Sequence, residues 1–122
     1  MSGVVPVGWP RDLPPADTTG FGESVSAWLL DRGPGEWRSH PVLRRHPRAL
    51  SALLITHLET HLDGVRRHYG SVRRDMSEVV PAADIPDLLA AIEADGAQTA
   101  ETLRQVRLVD EALAGRRWQR RL

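Results

Sequence analysis

Three histidines, His57, His61 and His68, fall within the sixteen residues ITHLETHLDGVRRHYG, positions 55–70. Neutral imidazole is a common metal ligand, and residues four apart on a helix project from one side a turn apart, so His57 and His61 can share one ion. His68 cannot join them from the same helix, because seven residues carry it about 10 Å beyond His61. The remaining ligands would have to come from another segment, and none is obvious. The order HLETH is not the zinc-protease pattern H-E-x-x-H, since Glu59 follows His57 by two residues and turns to another face. An E-x-x-H pair of the di-iron bundles is also lacking. At ~100° per residue the three rings lie within about 40° of one another, beside an arc formed by Leu50, Leu54, Leu58, Val65, Val72 and Met76. The favoured expectation is therefore a seam, with imidazoles packed along an apolar stripe and their nitrogens wet. His57 and His61 stand as metal candidates, and no metal or other cofactor is assigned.

Other chemistry has less to offer. No serine sits in a G-x-S-x-G turn, no glycine-rich phosphate loop follows a strand, and the chain has no cysteine to act as a thiol nucleophile or zinc ligand. The residues point away from an enzyme without excluding a site assembled from scattered positions. All sixteen basic residues are arginine, and the doublets Arg44/Arg45, Arg66/Arg67, Arg73/Arg74, Arg116/Arg117 and Arg120/Arg121 could line a phosphate track. Sixteen acids bring the net charge to zero, and residues 76–112 carry eight of them against two arginines, which argues against nucleic acid as the partner. Trp9, Trp37 and Trp118 lie in or beside loops and ends, where large amphipathic rings serve as anchors to another protein.

These residues must be positioned by helices. With 122 residues, 41% of them hydrophobic but only 5% aromatic, the chain suits one all-α domain with a modest Leu, Val and Ala core. Residues 1–20 hold four of the nine prolines and are expected to form an extended arm. Val4, Val5, Val7, Trp9 and Leu13 make that arm too apolar for a solvated tail, so it should lie on the helices or on a partner. The helical domain then occupies 21–122. A short helix is expected over about 22–32, capped by Thr18 or Thr19, with Val25, Trp28 and Leu29 on one face and Gly33-Pro34 as its stop. A second short helix is expected over about 39–46.

From Pro47 the apolar spacing of three, four or seven predicts a long amphipathic helix to about residue 80, weakened at Gly64 and Gly70. The turn VVPAADIPD follows, with Asp84 as N-cap, and another long helix runs from about 85 to 114. Two long helices joined so tightly should form an antiparallel hairpin. A turn centred near residue 82 sets Val72 opposite Ile92, His68 opposite Gly96, His61 opposite Leu103 and Leu58 opposite Val106. It also lays a basic block, residues 38–75, along an acidic one, residues 76–112. Residues 115–122 form a basic tail. A two-helix seam buries too little to be comfortable alone, so either the N-terminal region covers it or two hairpins pair as a dimer in a four-helix bundle.

The stretch WLLDRGPGEWRSHPVLRRHPRAL, residues 28–50, resembles a segment of small, uncharacterised helical proteins of actinobacteria. The resemblance agrees with the lysine-free composition and implies no activity, ligand or site residue. No basic leader with an apolar stretch behind it opens the chain, and no apolar run approaches the ~20 residues of a membrane span. The expectation is thus a cytoplasmic, non-enzymatic interaction or scaffold protein, acting through its hairpin and Trp-bearing arm. Its partner would be another protein or a second copy, with no membrane involved.

Overall fold

A computed structural model describes residues 4–119. Among them are four α-helices and no strand: α1 (Thr19–Leu30), α2 (Pro41–Arg45), α3 (Pro47–Asp75) and α4 (Ile85–Leu113). Short 3-10 turns at Gly35–Ser39 and Ala82–Asp84 lead into α2 and α4. The expected all-α hairpin is the architecture observed, with α3 and α4 packed along each other over 29 residues apiece.

Proline and glycine set the boundaries. Pro47 opens α3 at the position where a missing N–H costs nothing, and Pro86 does the same in the first turn of α4. Gly115, at φ +104°, closes α4: its N–H donates to the Ala112 carbonyl and the next N–H, from Arg116, to Glu111. This paired closure uses a left-handed residue that glycine adopts without strain. At Gly33 the need is space, because an added Cβ would lie 2.7 Å from the Trp37 ring. Neither Gly64 nor Gly70 interrupts α3.

Three sequence expectations are corrected here. Thr18 occupies the N-cap of α1, yet its hydroxyl donates back to the Pro15 carbonyl at 2.7 Å and caps nothing in the helix. Asp84 is part of a 3-10 turn and likewise makes no side-chain cap. The larger difference is the end of α3, at Asp75 and not near residue 80. Pro81 draws Val80 away from helical geometry, and the chain turns early through bonds from the Val79 and Val80 amides to the Met76 carbonyl. Met76 and Val80 then fold over a small core of Val72, Ile85 and Leu89.

Moving the turn back shifts the facing residue by about three. Val65, rather than His68, meets Gly96, where a Cβ would come within 3.2 Å of the valine. Ser51 reaches Asp110 across the same interface, its hydroxyl 2.5 Å from Oδ1.

The main core lies at the other end of the hairpin. There Val25, Trp28, Leu29 and Leu30 of α1 cover Leu50, Leu54, Leu58, Val106 and Val109. The N-terminal arm closes over them with Leu13 and Ala16 buried, as its apolar content predicts, although Val5 and Val7 stay exposed. It is fastened by a polar clamp. Trp28 Nε1 donates to Asp12 Oδ1 at 2.8 Å, and Arg32 donates to Oδ2 at 2.9 Å while its guanidinium stacks 3.7 Å from the indole centroid. The hydrogen bond from Trp28, more than the Arg32 charge, holds the Asp12 carboxyl below its ordinary value of 3.8.

Candidate functional site

The structure separates the histidines. His57 packs its ring edge-on to Trp37, with centroids 5.5 Å apart, whereas His61 Nε2 lies 2.9 Å from Asp95 Oδ2 of α4. His68 is exposed beside Ile92 and Asp95. Among the described residues no group of three or more His, Asp or Glu side chains converges as a metal cage would require. The two metal candidates thus engage different elements, one an indole and the other a carboxylate. Asp95, absent from the ligands considered for the pair, comes into reach because of the changed register.

The tryptophans are engaged within the chain. Trp9 Nε1 donates to the Leu13 carbonyl at 3.0 Å, and its ring lies 5.9 Å from Phe21 and 5.7 Å from Trp118. Trp37 seals Gly33 and the flank of α3. All three are half-buried, and they join arm, connecting turn and C-terminal segment to the main core.

The arginine doublets do not form a uniform row. Arg67 pairs with Asp63, Arg74 with Asp75 and Arg116 with Glu111, while Arg44, Arg45, Arg66 and Arg73 make no ion pair among the described residues. Arg120 and Arg121 lie outside the described residues. Across the hairpin the basic and acidic blocks meet less than their order along the chain suggests. Among the described residues only two pairs bridge α3 and α4, His61 with Asp95 and Arg107 with Glu59, and in the second the acid comes from the basic block.

What the site residues leave open lies toward the hairpin tip. Between the main core and the small one, Val65 and Ile92 sit half-buried, and each lines a groove on either face of the helix pair. One groove carries His61, His68 and Asp95, on the side of α3 where Trp37 covers His57. The other is floored by Gly96, Ala97 and Ala100 of α4 and walled by Leu62, Arg66 and Tyr69 of α3. Tyr69 is 43% exposed. Among the described residues its hydroxyl finds no hydrogen-bond partner, and Arg66 and Glu93, on opposite walls, find no ion-pair partner.

The expected seam, with His68 and Tyr69 against the small residues around Gly96, is here an open groove. Its signal was the step from Leu62 to Tyr69 on α3 beside the run of small residues Gly96, Ala97 and Ala100 on α4, legible only once the register is known. No helix among the described residues is long and apolar enough to cross a membrane. No protein-family model, curated protein or solved structure matches the chain.

Proposed function

We propose that this is a small, cytoplasmic, non-enzymatic interaction protein that binds a protein chain along the tip half of its hairpin. The observation that carries the reading is the groove of Leu62, Val65, Tyr69 and Ile92 over Gly96 and Ala97, an apolar strip that no third element among the described residues covers. Small residues on one helix beside an aromatic on the other make a surface that accepts an apolar face of another helix. The groove thereby takes the anchoring role expected of Trp9, Trp37 and Trp118, whose rings serve the main core. Metal binding at His57 and His61 and nucleic-acid binding along the arginines draw less support. The histidines have separate partners, and several arginines are tied to acids.

The test is a photo-crosslinking amino acid at position 69, compared with one at Val42, an exposed residue of α2. In cells that produce the protein, a covalent protein adduct from position 69 and none from position 42 is the expected result. Position 69 giving no adduct, or the same adducts as position 42, defeats the proposal.

A further inference from the structure

Resting on that reading, we infer that the occupant of the Tyr69 groove is a second copy of this chain, docked face to face about a two-fold axis that runs along the hairpin. Charge complementarity specifies the partner. On α3 the groove wall carries Arg66, and on α4 the opposite wall carries Glu93; both are exposed, and neither has an ion pair among the described residues. The groove on the other face differs, since its His61 and Asp95 already bind each other and its Arg67 is held by Asp63. Opposite charges left unpaired on the two walls of one apolar groove are what an isologous interface uses, each wall supplying what the other copy lacks.

The axis follows from the register. Rotation about the long direction of the hairpin sets α3 of each copy on α4 of the other, antiparallel, with both tips at the same end. Val65 faces Gly96 within the hairpin, so Arg66 and Glu93 differ in level by only about 3 Å at ~1.5 Å per residue. A partner related by this axis therefore brings Arg66 to Glu93 and Glu93 to Arg66 in two equivalent pairs. Tyr69 of each copy, four residues or about 6 Å nearer the tip than Val65, comes level with Ile92 of the other, an aromatic ring against an apolar side chain. The product is a four-helix arrangement in which the tip half of each hairpin gains the third and fourth helices that its own chain does not provide. The face is roughly 20 Å long and two helices wide, at the small end for a specific interface, so association is expected at about 10–100 μM.

The test is sedimentation equilibrium of the full chain from about 10 μM to 1 mM, a range set by that affinity. A species of twice 13.6 kDa is expected to form with concentration. Arg66→Glu and Glu93→Arg, each of which puts like charges at both pairs, should weaken it at least tenfold. The double exchange Arg66→Glu/Glu93→Arg, which restores both pairs in reverse, should recover it. Asp95→Asn, on the opposite groove, should leave it unchanged. Circular dichroism checks that the variants fold, as expected for exposed side chains with no partner in the monomer. A monomer at every concentration overturns the inference, and so does a dimer indifferent to the single reversals or a double exchange no better than either. A crosslink from position 69 to a different protein would overturn the second copy while leaving the interaction reading in place.

Discussion

The two halves of the hairpin are built from the same two helices but are held differently. In the half nearest the chain ends, Leu50, Leu54, Val106 and Val109 are 0% exposed, because α1 and the arm lie over the helix pair. Beyond Leu62, where the main core ends, the tip half buries Val72, Ile85 and Leu89, and Val65 and Ile92 between the two cores remain half open. Helix sequence alone does not make the difference, since α3 runs unbroken through both halves. What differs is the third layer. A helix pair closes one seam, and each additional helix closes another, so the tip half has apolar area left over for a partner.

This contrast can be broken most directly in the cores. Leu54→Ala should cost about 3–4 kcal/mol of unfolding free energy, since the cavity it leaves is surrounded on all sides. Leu89→Ala, in the thinner core near the tip, should cost about half as much, because neighbouring side chains and water can enter the space. Urea unfolding of the two variants at low protein concentration measures both, and equal costs would remove the distinction between the halves. Hydrogen exchange sharpens it further. Amides of α3 from 62 to 74 should exchange at least about tenfold faster than those from 51 to 58, as expected where local opening exposes little buried area.

A smaller effect tests how the well-covered half fixes the register. The Ser51 hydroxyl is fully buried and lies 2.5 Å from Asp110 and 3.0 Å from the Arg48 carbonyl, so its one proton is shared between helix and cross-helix acceptors. Ser51→Ala should lower stability by about 1–2 kcal/mol, mostly through the half-buried Asp110 carboxylate left without its donor. A loss within error would mean that apolar packing alone sets the register.

The smallest effect concerns the clamp between arm and α1. Asp12 has its pKa lowered, first by the hydrogen bond from Trp28, so the folded state favours the charged carboxylate. Its contribution is fully present above the ordinary value of 3.8 and is lost as the pH falls below that value through the depressed one. Because the side chain is 64% exposed, solvent screens the interaction and the loss should be a fraction of a kcal/mol. Asp12→Ala should lower stability at neutral pH by that same fraction of a kcal/mol and converge with the parent protein as the pH falls below ~4, which flattens the acid limb read from Trp fluorescence. A profile identical to that of the parent protein would remove the clamp from the account.

Much of the fold could be read from residue order. The period of Leu50, Leu54 and Leu58, the prolines at 47 and 86 and the glycine at 115 announce two long helices and their ends, because helical periodicity and capping are local properties. The arm's apolar content pointed to its docking. Less was legible at the site. Treating α3 as continuing to residue 80 displaced its partners by about three positions, enough to put His68 where Val65 lies and to hide Asp95 from His61. Leu62 and Ser51 were left out of the expected stripe, although both are buried. The tryptophans could not be divided between core and surface, since a large ring at a loop has the same sequence signature in either role.

By itself, then, the sequence determined the helical class, the hairpin and the boundaries set by Pro47 and Gly115, each governed by interactions over a few residues. The tertiary structure decided the register, the separate fates of His57 and His61, and the pairing state of Arg66 and Glu93. Those depend on how the fold brings together residues about twenty or more positions apart. A change of three residues at the hairpin bend turns a different side of each helix toward its neighbour, and no local signal specifies which side that will be.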